Sequence, residues 1–111
     1  MSSDDITVRA TALDGIAKSY SEEKNFTQAR QKFAEIIALN IKKAPEFNRS
    51  SLEMLQAGAQ IEIAKTYVAE GDKKQARAEF TKVLTMPAAK FFAEQVKSEL
   101  EKLDKKIELA P

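Results

Sequence analysis

Apolar residues along this chain step by three and four almost throughout, the spacing that gathers them on one face of a helix. From about Asp4 to Glu23 the stepping positions are Ile6, Ala10, Leu13, Ile16, Ala17 and Tyr20. Ser3 or Asp4 is placed to cap this first helix, and Gly15 within it is expected to serve close backbone packing. Lys24 to Gln28 interrupts the pattern, with Asn25 and Gln28 spaced as a reciprocal cap. A second helix is predicted over about 27–43 with Ala29, Phe33, Ile36 and Ile37 inward; Pro45 ends it, and 44–49 reads as a polar connector. Ser50 and Glu53 have cap spacing for a third helix running to Glu70, with Leu52, Leu55, Ala59, Ile63 and Tyr67 on one face and Gly71 as its left-handed stop. A fourth is predicted over about 73–85, with Ala76, Phe80, Val83 and Leu84 inward, after a cap of the same form at Asp72–Gln75. A fifth, over about 88–108, carries Phe92, Val96, Leu100, Leu103 and Ile107 at spacings of four, four, three and four. Short turns between amphipathic helices make them antiparallel neighbours.

Two of these hairpins are copies of each other. Ile16-Ala17-Lys18, Tyr20, Gln28-Ala29-Arg30 and Phe33 recur 47 positions on as Ile63-Ala64-Lys65, Tyr67, Gln75-Ala76-Arg77 and Phe80. Residues 16–39 and 63–86 align without a gap and are identical at nine of 24 positions, so the unit repeated is structural. The alanines Ala17, Ala29, Ala64 and Ala76 are small where two helices cross closely, and Tyr20, Phe33, Tyr67 and Phe80 fill the space beside the crossings.

The second copy, Ile63-Ala64, Tyr67, Gly71-Asp72, Ala76, Phe80 and Pro87, resembles the tetratricopeptide repeat family. The first copy keeps Ile16, Ala17, Tyr20, Ala29 and Phe33 but has Lys24-Asn25 where the second has Gly-Asp. The resemblance implies an all-α domain of five antiparallel helices wound as a short right-handed superhelix. It is expected to be one domain over 1–111, with repeat one at about 4–43, repeat two at about 51–86 and a capping helix at about 88–109. The offset of 47 exceeds the family's spacing of about 34, which is read as an overrunning second helix and an early third. The family also implies a protein-binding adaptor that holds a peptide segment in a concave groove lined by the first helix of each pair. By the repeat alignment that groove receives Thr11, Asp14, Lys18 and Ser21, then Gly58, Ile61, Lys65 and Val68.

Composition narrows the chemistry. The 111 residues contain no cysteine and no histidine, which removes thiolate and imidazole catalysis and the commonest metal ligands. Glu22-Glu23 and Asp4-Asp5 are adjacent carboxylates, but neighbours on a helix point about 100° apart and do not converge on one atom. No enzyme activity, cofactor or metal is expected. The net charge of +1 and the short lysine pairs, each with acidic neighbours, argue against nucleic acid. No run of about 18 apolar residues is available for a membrane, and the acidic N-terminus is no secretory signal, so a soluble cytoplasmic protein is expected.

Several alternatives stand side by side. Lys18 and Lys65 are equivalent and would place two ammonium groups on one wall, either gripping a carboxylate of a bound segment or merely facing solvent. Ile61 and Val68 lie off the main apolar face of their helix, as an apolar floor for a peptide or as positions another helix covers. The fifth helix either caps the fourth or meets its own copy in a homodimer. The chain is also open to being a piece of a longer array.

Overall fold

A computed structural model of the chain describes residues 5–109, and side chains through Asp104. Five helices follow one another: α1 (Ile6–Glu22), α2 (Phe26–Ala38), α3 (Glu46–Ala69), α4 (Lys73–Val83) and α5 (Ala89–Leu109). Packing is sequential. α1 lies against α2, α2 against α3, α3 against α4 and α4 against α5, with smaller contacts of α3 on α1 and of α5 on α3.

Helix ends depart from the periodicity in instructive ways. Residues Ser3 and Asp4 lie outside the described part, and Asp5 makes the cap of α1, its carboxylate accepting from the Thr7 N–H at 2.8 Å. α2 stops at Ala38 instead of running on to Lys43; Leu39 turns extended, and a single 3-10 turn, Ile41–Lys43, follows, capped by the Asn40 side chain on the Lys42 N–H. Of the predicted connector 44–49, residues 46–49 are already helix. Pro45 opens α3, because the fixed proline φ suits a helix start and its ring holds Ala44 extended. Ser50 and Glu53 therefore sit inside α3 and cap nothing. Asn25 makes no cap bond and donates to Glu23 instead; Asp72 does cap Gln75 N–H, while the Gln75 side chain turns to Glu79. The excess spacing between the copies thus comes from the 3-10 turn and the early start of α3.

Between the helices of each pair the backbone passes through a left-handed residue, Gly71 in the second copy (φ 82°) and its equivalent Lys24 in the first (φ 65°). Glycine adopts that conformation freely and a lysine does not. Lys24→Gly is expected to raise stability by about 0.5–1 kcal/mol in urea unfolding, and Gly71→Lys to lower it by a like amount.

The core forms three linked clusters. Ala17, Ala29, Phe33 and Ile36 pack with Ala59 and Ile63 of α3. The opposite side of α3 supplies Ala57, Ile61 and Ala64 to a cluster with Ala76, Phe80, Val83, Ala88, Val96 and Leu103. Ile6, Ala10, Ala44 and Leu52 close the far end. Tyr20 and Tyr67 are half-buried beside these crossings, and Phe92 and Leu100 of α5 pack partly buried on the second cluster. The Ile107 side chain lies outside the described residues. Three inward assignments fail: Ile16 and Leu84 are substantially exposed, and a Cβ added at Gly15 would meet nothing within 4 Å, so that glycine serves no close approach.

Candidate functional site

Of the groove residues drawn from the repeat alignment, Lys18 and Lys65 are exposed and each is paired along its own helix. Lys18 reaches Asp14, one turn earlier on α1, at 3.0 Å, and Lys65 approaches Glu62 of α3 at 3.9 Å. Each ammonium is thus matched by a carboxylate of its own helix, the kind of exposed pair that contributes a few tenths of a kcal/mol. Thr11 spends its hydroxyl on the Thr7 carbonyl, and Asp14, Ser21 and Gly58 are half-buried. Ile61 corrects the expectation of an open floor: it is 2 % exposed, sealed among Ala57, Phe80 and Val96, and Val68 packs partly buried on the same cluster. α5 covers this side of α3, which explains why an apolar stripe off the main face of the helix was present at all.

A different concavity lies between α1 and the C-terminal end of α2. A cleft of about 390 Å³ is lined by Arg9, Leu13, Glu35, Ala38 and Leu39. Through the shared Arg9, Ala38 and Leu39 it continues into a hollow of about 450 Å³ that adds Ile6, Asn40 and Lys43. The trough exists because α2 ends early: a helix carried on to Lys43 would have run past the first turn of α1. Asn40, by capping the 3-10 turn, bends the chain away instead. Leu13, Leu39 and the buried Ile6 give it an apolar floor. Arg9 and Lys43 are exposed above it and, among the described residues, have no carboxylate within 4 Å, whereas Glu35 is held by Lys32 at 3.1 Å. Two unmatched cations beside aliphatic surface favour an apolar ligand carrying negative charge. The sequence signal for this site was the break at Leu39-Asn40, where a residue favoured at turns and caps interrupts the apolar stepping.

Two further groups of residues escaped the periodicity. Arg30 on α2 donates to the Thr66 hydroxyl at 3.0 Å and to Glu70 at 2.9 Å, both at the C-terminal end of α3, and stacks 4.3 Å from the Tyr67 ring centroid. Its equivalent Arg77 on α4 makes the corresponding bridge to Asp104 on α5. The same arginine therefore ties each pair to the helix that follows it. Between α3 and α4, the buried Gln60 amide donates to the Glu79 carboxylate at 2.7 Å, as does Gln75 at 2.7 Å, with Lys82 at 3.1 Å. Burial by itself pushes the Glu79 carboxyl up, but the bonds from Gln60, Lys82 and Gln75, with the Lys82 charge, outweigh it and hold the group below its ordinary value. In the first copy the equivalents are Leu13 and a charge-reversed Lys32–Glu35 pair, so this network belongs to the second hairpin alone.

Among the described residues no three His, Cys, Asp or Glu side chains are grouped to hold a metal ion, and no helix is long and apolar enough to cross a membrane. No family model, curated protein or solved structure matches the chain.

Proposed function

We propose that this chain is a tetratricopeptide-like adaptor that performs no reaction and binds a segment of another protein in the trough between α1 and the end of α2. Two features support the stacked reading of the fold. The arginine bridge recurs from pair to following helix, at Arg30 and at Arg77. The molecule is also elongated, 58 × 30 × 15 Å with a radius of gyration of 14.9 Å, where a compact chain of this length has about 13 Å.

The observation that carries the binding role is the pairing of an apolar floor with the unmatched cations Arg9 and Lys43. The segment it suits has aliphatic side chains for Leu13 and Leu39 and one or two carboxylates for the cations. Lys18 and Lys65, each matched on its own helix, are assigned to the solvated surface. A two-fold seam on the stripe of α5 is disfavoured, since Val96 and Leu103 are already in the chain's own core.

Selection from a random peptide library displayed on phage, followed by fluorescence anisotropy, tests this. Selected peptides are expected to be acidic and aliphatic, and Arg9→Glu/Lys43→Glu to weaken them by roughly tenfold or more, with the loss greatest at low salt. Lys18→Glu/Lys65→Glu should change affinity by less than about twofold. Equal losses from the two double variants, or peptides without acidic residues, would return the site to the lysine wall or remove it.

A further inference from the structure

We propose that the outward face of α1 is a second docking surface, built to receive one amphipathic helix of another protein in the way that α3 receives α2. The internal repeat carries the argument. On α3 the residues turned toward α2 include Leu55, Ala59, Ile63, Thr66 and Glu70, with Gln56 donating to the Ile36, Ile37 and Leu39 carbonyls; all but Glu70 are buried or half-buried, and Thr66 and Glu70 hold Arg30. The positions 47 earlier on α1 are Val8, Ala12, Ile16, Ser19 and Glu23, the last being the residue that closes the helix. These five keep the chemistry position by position: aliphatic, alanine, isoleucine, hydroxyl, glutamate; at the Gln56 place α1 carries Arg9, another donor. All five are exposed, Val8 at 57 % and Ile16 at 45 %.

The rest of the hairpin shows that the equivalence is real in space, because Ala17 and Ala64, Ala29 and Ala76, and Phe33 and Phe80 are all fully buried in both copies. α1 therefore presents, uncovered, the stripe that α3 presents to its predecessor. In repeat two an isoleucine at this place is a core residue; in repeat one it faces water.

The covering helix of repeat two specifies the occupant. α2 offers Arg30 near its N-terminal end, with Phe33 and Ile37 three and seven positions on, and the cation lies at the Thr66–Glu70 end of α3. A helix seated on α1 would carry a cation toward Ser19 and Glu23 and apolar residues at those spacings over Ala12 and Ile16. Among the described residues Glu23 is engaged only by the Asn25 amide, at 3.3 Å, and has no cation. A second copy of this chain has no such helix to give, since its Arg30 and Phe33 are committed to α3 and its Arg77 and Phe80 lie under α5. The occupant is thus a basic amphipathic helix of a different polypeptide, recognised in the helix-in-groove manner.

A hydrocarbon-stapled peptide of residues 25–40 of this chain is a ready probe, because that sequence already fits the equivalent face. Titrated into the 15N-labelled protein, it is expected to shift Val8, Ala12, Ile16 and Ser19. Ile16→Asp should weaken it by roughly tenfold or more with unchanged helicity and Tm, the residue being half-exposed. Glu23→Arg should also weaken it, and a peptide carrying Arg30→Glu should restore binding to that variant; Lys43→Glu, in the trough, should leave affinity unchanged. No binding, shifts confined to Leu55 and Ile63, or indifference to Ile16→Asp would overturn the proposal. So would a concentration-dependent dimer of the chain abolished by Ile16→Asp, which would make the occupant a second copy.

Discussion

Phe80→Ala is expected to lower the stability of the chain by about 3–5 kcal/mol, a large part of the roughly 5–15 kcal/mol that a domain of this size possesses. Phe80 is fully buried where α3, α4 and α5 converge, and much of what surrounds it is alanine: Ala57, Ala64, Ala76 and Ala88. Alanines have no rotamers with which to collapse into a vacated ring, so the cavity persists and its cost adds to the lost transfer free energy. Urea unfolding followed by circular dichroism gives the number. Phe80→Leu, which retains most of the apolar volume, should cost no more than about 1–2 kcal/mol. Phe33→Ala, at the equivalent point among Ala17, Ala29 and Ala59, should match Phe80→Ala. Because α3 supplies Ala59 and Ile63 to one cluster and Ala57 and Ile61 to the other, both variants should still unfold in one transition. A loss below about 1 kcal/mol at Phe80, under the usual range for such a truncation, would mean that α5 is not seated over it.

The three pairs that made the repeat visible, Ala17 with Ala64, Ala29 with Ala76 and Phe33 with Phe80, are also where sequence and structure agree most closely. Their sizes and spacing are dictated by helix crossing, which is local geometry. What the periodicity misjudged depends on neighbours it cannot see. Ile16 and Ile63 are identical in sequence, yet among the described residues only Ile63 has a hairpin packed over it. Ile61 looked like an apolar floor because the path of α5 over α3 is a tertiary fact: Val96 and Leu103 join Ala57, Ile61 and Ala64 in one cluster only once the chain has folded back. The boundary errors have one cause. Pro45 is equally compatible with stopping a helix and starting one, and Leu39-Asn40 decides between them by leaving helical backbone early. The trough beside Arg9 is a product of that early stop, and the Leu39-Asn40 break is its mark in the sequence.

Gln60→Leu is the second variant expected to have a large effect, and its effect should depend on pH. The Glu79 side chain is 9 % exposed and its carboxylate is sustained by the Gln60 amide, with Gln75 and Lys82. Removing one donor to a charged, largely buried group costs about 1.5–3 kcal/mol. A carboxyl whose folded pKa lies below its unfolded value contributes stability that is present above the unfolded value and lost as the pH falls through the folded one. Glu79 is such a group. The wild type should therefore lose this contribution on acidification, and the variant, whose Glu79 has less to lose, should draw level with it. Urea midpoints at about pH 7 and about pH 3, on either side of the ordinary carboxylate range, should show a large gap at the first and a small one at the second. Gln60→Leu/Glu79→Leu should recover most of the loss at neutral pH, because neither polar group is then left buried without its partner. If the single variant were equally destabilised at both pH values, Gln60 would be holding α3 to α4 through its bond to the Glu79 backbone carbonyl at 3.0 Å and through shape, and the charge at Glu79 would have no share in it.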